Sequence, residues 1–260
     1  MDSVNKTLYI PLYGKAYVSR KGILLRDPKA EEIWEKEGFP LKGKSASKWL
    51  AYHMGMRAAV FDNWLRTQME NWPDGIILHI GCGLDSRILR VVGEERLWFD
   101  IDFPDVIGER KKFFVENGFY RMIAADMREE SWKQQIPAGR KAIVVMEGVS
   151  MYFRPEELER LLKSLKKHFS EMHLLMDVYT NFGAKASKYK NPIHDVGVTT
   201  VYGMDDPKVL AEKTGLRYAA EHSLTPLPMI AQLSAGERIV FSNLFAGKFA
   251  RRIYRLYEFA

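Results

Sequence analysis

One stretch constrains what this chain can fold into more than any other: IILHIGCGLDSRILRVVGEERLWFDID, residues 76–102. It opens on Ile76-Ile77-Leu78-His79-Ile80, an apolar run of strand length and composition. Gly81-Cys82-Gly83 follows at once. Two glycines around one small residue let a backbone turn sharply and let a ligand approach it closely. A second strand-like run, Leu97-Trp98-Phe99, ends in Asp100-Ile101-Asp102. These acids stand about 20 residues past the first glycine, where a doubly wound sheet places a carboxylate to accept from ribose hydroxyls. Strand, glycine loop, short helix, strand and acid together read as a nucleoside-binding half-site.

The loop departs from G-x-G-x-x-G at its last position, which holds Ser86. That third glycine serves close helix–strand packing beneath a pyrophosphate. Its absence favours a nucleoside without phosphates over a dinucleotide, and S-adenosylmethionine is such a ligand. The plainer reading of the same residues is a tight turn in an α/β protein that binds nothing.

With 260 residues, 47% of them hydrophobic, the chain can bury one large core. The expectation is a single domain over 1–260, with a helical cap at 1–70, a cofactor-binding core at 71–178 and substrate-side insertions and last strands at 179–260. No run approaches 18 consecutive apolar residues, so no transmembrane helix and no membrane partner are expected. The N-terminus has Asp2 and no small-residue cleavage site after an apolar stretch, unlike a signal peptide. The lone cysteine, Cys82, forbids an internal disulfide and fits a cytoplasmic protein. Cys82 reads as a small loop residue rather than a nucleophile. The six histidines show no metal-ligand spacing, so no metal is expected. His53 and His222 become candidate bases only if the fold brings them to the cleft. The net charge of +6 is dispersed in small groups such as Arg110-Lys111-Lys112 and Arg251-Arg252, without the basic–aromatic platform of a nucleic-acid binder.

Along the chain, Asp27-Pro28 predicts a capped helix over 29–37, and a longer helix runs over 47–69 with Leu50, Met54, Ala58, Phe61 and Leu65 at helical spacing. Arg57 sits on it among apolar neighbours. A buried arginine needs an anionic partner, either inside the core or on a ligand; with no acid one turn away, a ligand anion is the expected partner. A helix over 103–117 closed by Gly118, strands at 120–125, 141–146, 173–178 and 216–222, and helices at 129–135, 155–168 and 207–214 follow. Near-continuous apolar strands alternating with helices mean a parallel sheet covered on both faces. Asp102, Asp126, Glu147 and Asp177 stand at successive strand ends, the edge where open α/β sheets bind ligands. Residues 179–203 lack periodicity and read as an insertion over that edge, with Tyr179, Lys185, Lys188, Tyr189 and Lys190. Together with a helix over 229–249 it is expected to wall the acceptor, before a terminal strand at 252–259.

The segments LYGKAYVSRKGILLRDPKA, RAAVFDNWL, HIGCGLDSRILR, WFDIDFPDVIGERKKFF, AADMR and MEGVSMYFRPEEL occur in this order. On them the chain resembles the leucine carboxyl methyltransferase family, and within it the bacterial polyketide O-methyltransferases, over residues 8–169 and more loosely beyond. The resemblance implies an α/β, class I S-adenosylmethionine-dependent methyltransferase fold. Its Rossmann-like, mostly parallel seven-stranded sheet would run 3-2-1-4-5-7-6, with the last strand antiparallel, helices on both faces, a helical N-terminal extension and substrate-covering insertions. By position it implies Lys15 and Arg57 on the methionine carboxylate, Gly81 and Gly83 under the cofactor, Asp102 on the ribose and Asp126 with Met127 flanking the adenine. Glu147 matches the acid after the fourth strand. Tyr152, near the transferring methyl, is the catalytic candidate. The implied cofactor is S-adenosyl-L-methionine with S-adenosyl-L-homocysteine as product, and the implied acceptor a carboxylate or hydroxyl of a small molecule. Alternatives on the same sheet are a protein C-terminal carboxyl or nucleic-acid methyltransferase, or a non-catalytic binder of the cofactor. Enzymes that methylate bases carry a Pro-Pro-aromatic turn where this chain has Glu147-Gly148-Val149-Ser150-Met151-Tyr152, which counts against the nucleic-acid reading.

Overall fold

The computed structural model describes residues 7–38, 40–41, 43–91, 95–187 and 200–260. Local signals set its N-terminal helices: α1 (Tyr9–Arg20), α2 (Pro28–Glu37) and α3 (Lys48–Asn71). Asp27 Oδ1 accepts the Ala30 N–H at 2.9 Å, Pro28 opens α2, and left-handed Gly38 closes it by donating to the Trp34 carbonyl. Ser47 caps α3 at the Trp49 N–H. Helices α1 and α3 meet at two glycines: a Cβ on Gly14 would lie 2.5 Å from Met54 Cβ, and one on Gly55 2.7 Å from Val18 Cγ2.

The sheet comprises β1 (Ile76–Ile80), β2 (Trp98–Asp102), β3 (Tyr120–Ala124), β4 (Lys141–Met146), β5 (Glu171–Tyr179), β6 (Tyr218–His222) and β7 (Tyr254–Phe259). Its order is β3-β2-β1-β4-β5-β7-β6; β7 runs antiparallel to both neighbours and the other pairs are parallel. The register sets Ile80 beside Ile101, and so brings the glycine loop after β1 next to the acid end of β2. The remaining helices are α4 (Arg87–Val91), α5 (Pro104–Arg110), α6 (Pro155–His168), α7 (Asn181–Ser187), α8 (Pro207–Thr214), α9 (Leu227–Ile230), α10 (Ala235–Phe241) and α11 (Lys248–Arg251). Strand alternation divides the core. Ile77, Ile143, Val145 and Leu175 face Leu12, Ile33, Phe61 and Leu65 of the N-terminal helices. Ile76, Leu78, Val144 and Met146 face Leu158, Leu162 and Leu165 of α6 and Leu210 of α8.

Several elements differ from the sequence expectations. The helix expected over 103–117 stops at Arg110, because the Arg110 guanidinium turns inward to Asp100, Tyr120 Oη and the Gly83 carbonyl. The return to β3 is closed by Asn117, whose Oδ1 accepts from Phe119 and Tyr120 N–H at 2.8 Å each, and Gly118 does not take a left-handed cap conformation. The segment expected as one helix over 229–249 is broken into α9, α10, a π-helical turn Ser242–Ala246 and α11. Ser234 and Glu237 start α10 afresh with a capping box, and extended Gly247 separates the turn from α11. Of the insertion at 179–203, the start is α7, and Gly203 returns to make a parallel bridge with Tyr179. Lys188, Tyr189 and Lys190 lie outside the described residues. The short helix at 129–135 is a 3₁₀ turn, Ser131–Gln135. No helix among the described residues is long and apolar enough to cross a membrane.

Candidate active site

A cavity of about 1530 Å³ runs along the carboxyl edge of β1, β2 and β4, between the N-terminal helices and the segment from β6 to β7. Lys15, Arg57, Gly81, Gly83, Asp102, Asp126, Met127, Glu147 and Tyr152 all line it. Residues scattered from position 15 to 152 therefore share one chamber.

The glycine loop forms its floor. Gly81 has φ +69°, and a Cβ there would lie 2.6 Å from Val149 Cγ2. At Gly83, φ +52°, a Cβ would have Leu8 Cβ at 3.6 Å as its neighbour within 4 Å. The Gly83 N–H donates to Asp102 Oδ2 at 2.7 Å, and Asp102 Oδ1 accepts from the Phe103 N–H at 2.8 Å. Burial nevertheless pushes the Asp102 carboxyl up to about 6, since two backbone donors only partly offset the loss of water. Cys82, between the glycines, is buried with its thiol pushed well up, and is a small structural residue.

Beside the loop lies a buried ionic network. Arg87, fully buried, donates from Nε to Asp62 Oδ1 at 2.7 Å and from Nη2 to Glu147 Oε2. Arg57 donates from Nε to Glu147 Oε1 at 3.0 Å, and from Nη1 to Asp177 Oδ2 at 3.1 Å and Tyr254 Oη at 3.0 Å. Arg90 joins Asp27, Asp62 and Asp85. Lys15 Nζ stands 3.4 Å from Asp85 Oδ1. Burial alone would raise Glu147; the charges of Arg87 and then Arg57 overcome it and hold the carboxyl at about 2. Asp177 also accepts the Gly148 N–H at 2.7 Å and the Tyr254 hydroxyl, and its carboxyl is raised by burial against the pull of Arg57.

Arg57 lines the cavity and is also paired within the protein. Its anionic partners are Glu147 and Asp177, 90 and 120 residues away in sequence, which helical periodicity around position 57 has no means of showing. Asp85 and Arg87 form an ion pair at 3.2 Å, one of the two structural roles expected for them. Asp126 lines the cavity while held by Arg128 through Nε–Oδ1 at 2.8 Å and Nη2–Oδ2 at 2.6 Å. Met127 beside it is buried. Tyr152 ends the 3₁₀ turn Ser150–Tyr152, its hydroxyl is hydrogen-bonded to Thr7, and burial pushes the phenol up to about 12. His222 reaches the cavity but is engaged by Glu258 at 2.6 Å. Sequence reasoning missed Asp62, Arg90 and Tyr254 as members of the network. Only Tyr254 left a signal, as an aromatic residue at the start of a strand that meets the acid end of β5.

The chain is 29% identical over 262 residues to the tetracenomycin polyketide synthesis O-methyltransferase TcmP of Streptomyces glaucescens, a match covering 98% of this chain and 97% of that protein. It is 30% identical over 193 residues to the S-adenosyl-L-methionine-dependent methyltransferase dpfgK of Gibberella zeae, covering 67% of this chain and 64% of that protein. Among solved structures it is similar to a duf574 family protein from Streptomyces avermitilis, with TM-score 0.58, 12% identity, and 89% and 88% of the two chains covered. It is also similar to the magnesium protoporphyrin IX methyltransferase of Synechocystis with bound S-adenosylhomocysteine, with TM-score 0.53, 13% identity, and 88% and 93% covered. These two likenesses bear on the fold. The profile of the family described as leucine carboxyl methyltransferase matches residues 10–166, more than half of the sequence, and the chain belongs to that family.

Proposed function

We propose that this protein transfers a methyl group from S-adenosylmethionine to an oxygen of a small-molecule acceptor. The observation that carries this reading is one continuous cavity joining the nucleoside corner, Gly81, Gly83 and Asp102, to a chamber walled by Tyr179, Phe245 and Tyr254. The residues present fit the cofactor. Asp102 is a buried carboxylate short of donors, which the two hydroxyls of a ribose would supply. The open approach to Gly83 leaves its backbone accessible to a ligand. Asp126 and Met127 would flank the adenine, and Lys15 would hold the amino-acid carboxylate from beside Asp85.

Bound, the cofactor supplies an electrophilic methyl on a positively charged sulfur, so the protein's share is alignment and electrostatics. Arg57 and Arg87 keep Glu147 ionised and fixed, a preorganised negative group beside the reacting centre. Tyr152, anchored through its hydroxyl to Thr7, would present its ring face and orient the acceptor. The match to TcmP along nearly the whole of both chains supports a small-molecule oxygen acceptor.

Titration calorimetry with S-adenosylhomocysteine, with NAD as control, tests the reading. One S-adenosylhomocysteine per chain with a dissociation constant on the order of micromolar is expected. NAD binding the more tightly of the two would overturn it.

A further inference from the structure

The segment that closes the cavity is strongly basic. Between Ser223 and Tyr257 the sequence holds one acid, Glu237, and five bases, Arg238, Lys248, Arg251, Arg252 and Arg255. Glu237 is turned to the N-terminal cap, where Tyr52, Lys21 and Lys48 hold it. Arg251 and Arg255 are paired with Glu221. Lys248 and Arg252 have no acid partner among the described residues, and neither has Lys185 on α7. Two exposed rings lie among these three cations. Phe182 on α7 and Phe249 on α11 are 43% and 60% exposed, and their rings meet edge to face with centroids 6.2 Å apart. The Arg252 guanidinium lies over Phe182, 4.9 Å from its centroid. Lys185 follows Phe182 by three residues, and Lys248 directly precedes Phe249. At Gly183 a Cβ would lie 2.2 Å from the Ile253 carbonyl oxygen, so α7 packs directly on the junction of α11 and β7, and the patch is one unit. Other residues of the same two helices line the cavity: Gly183, Ala186 and Ser187 of α7, Ala250 and Arg251 of α11. Exposed Leu227 and Leu244 line it too, which makes its rim apolar.

We propose that the face carrying Phe182, Lys185, Lys248, Phe249 and Arg252 docks on an anionic lipid bilayer and sets the mouth of the cavity against it. The contact is interfacial and involves no span, and it departs from the expectation that the chain has no membrane partner. Exposed rings flanked by cations suit this boundary, the rings settling among the headgroups while the cations meet lipid phosphates. Each Lys or Arg beside an anionic leaflet adds about fivefold in affinity. Charge argues against a second copy of this chain as the occupant, because a two-fold contact would set three unpaired cations against the same three. An acidic protein face would answer the cations alone, whereas a bilayer surface answers the rings as well. The consequence for catalysis rests on the methyltransferase reading above: an acceptor with a large apolar body partitions into the bilayer and enters the cavity over its apolar rim.

The test is cosedimentation of the full chain with vesicles of phosphatidylcholine alone, or of phosphatidylcholine with an equal amount of phosphatidylglycerol. Anionic vesicles should bind about tenfold or more tightly than neutral ones at about 0.1 M salt, and most of that preference should be lost by about 0.5 M. Lys248→Gln with Arg252→Gln should weaken anionic-vesicle binding by on the order of tenfold. Phe182→Ser with Phe249→Ser, which leaves the charge unchanged, should weaken it by a similar factor. Lys163→Gln with Lys167→Gln removes two exposed charges from α6 and should leave binding within about twofold, which separates a patch from the pull of the net charge of +6. None of these residues lines the cavity, so S-adenosylhomocysteine affinity in solution should be unchanged in all three variants. The proposal is overturned if anionic vesicles do not bind or bind no better than neutral ones, or if the α6 variant loses as much as the patch variants. A dimer in analytical ultracentrifugation that the phenylalanine pair dissolves would make the patch an interface between copies, and retention on polyglutamate without vesicle binding would assign it to an acidic protein; either overturns it. Vesicle binding needs no cofactor, so its failure leaves the methyltransferase reading standing, while failure to bind S-adenosylhomocysteine removes the acceptor route and not the docking surface.

Discussion

Asp102 is a buried carboxylate that accepts the N–H groups of Gly83 and Phe103, and its pKa still stands at about 6 against 3.8 for a free aspartate. The folded chain therefore holds the proton more tightly than the unfolded one. Stability falls as pH rises between those two values and is level above them. The ionised group costs the native state about 3 kcal/mol, and donors from a ribose would offset part of this. Affinity for S-adenosylhomocysteine should accordingly be constant above about pH 7 and weaken as pH falls through about 6, by at most roughly tenfold per unit. Asp102→Asn should flatten that profile and weaken binding by on the order of tenfold to a hundredfold. Calorimetry at several pH values, in buffers of different ionisation enthalpy, reads both, and a pH-independent parent would refute the assignment. Arg57 has a different signature. Arg57→Ala strands Glu147 and Asp177 without their shared guanidinium, a loss of about 3–5 kcal/mol for a buried pair. The melting temperature should fall by on the order of 10 °C. Arg57→Lys should restore little, because one ammonium cannot reproduce the planar fork.

The elements from α9 to α11 are too short to be stable as helices by themselves. They are tied instead to the N-terminal cap. Glu237 on α10 accepts from Tyr52 Oη at 2.7 Å and from Lys21 and Lys48 at 3.2 Å. Gln232 Oε1 accepts the N–H of Leu24, which holds a left-handed φ of +67°. Phe241 packs edge-on against Tyr52 and stacks on Phe245. The roof of the cavity is thus fastened to α3 through one carboxylate and a few rings, while exposed Ile239, Leu244 and Phe249 add little. Glu237→Ala should raise amide hydrogen exchange across 235–251 by about tenfold and leave β1, β4 and β5 unchanged. Mass-spectrometric exchange with peptides from both regions checks this; uniform acceleration would mean that the carboxylate stabilises the whole fold instead.

At the scale of the molecule, what was legible in the sequence was whatever local chemistry encodes. β4 and α6 begin and end where the apolar run and Pro155 place them, and Asp27 with Gly38 brackets α2 as its caps dictate. The cavity-lining residues were legible because most sit on the glycine loop or at strand ends, positions that a parallel sheet brings to one edge. Long-range pairing was not. The partners of Arg57, the inward turn of Arg110 that ends α5, and the stacking of His53 on Phe245 join segments that no period links. The same long-range construction gives the molecule a testable unity. The cavity draws its walls from α1 and α3, from the loops after β1 and β2, and from the segment between β6 and β7. A cofactor that spans these walls would spread its binding free energy over regions far apart in sequence. At 100 times its dissociation constant a ligand specific for the native state adds about 2.7 kcal/mol. For a chain of this size that is a rise in melting temperature of roughly 5–10 °C. S-adenosylhomocysteine should slow exchange together in 10–20, 48–60, 80–90 and 223–254, with α8 and the outer face of α6 unaffected. Protection confined to 80–102 would show that ligand binding does not draw the N-terminal cap and the C-terminal roof together.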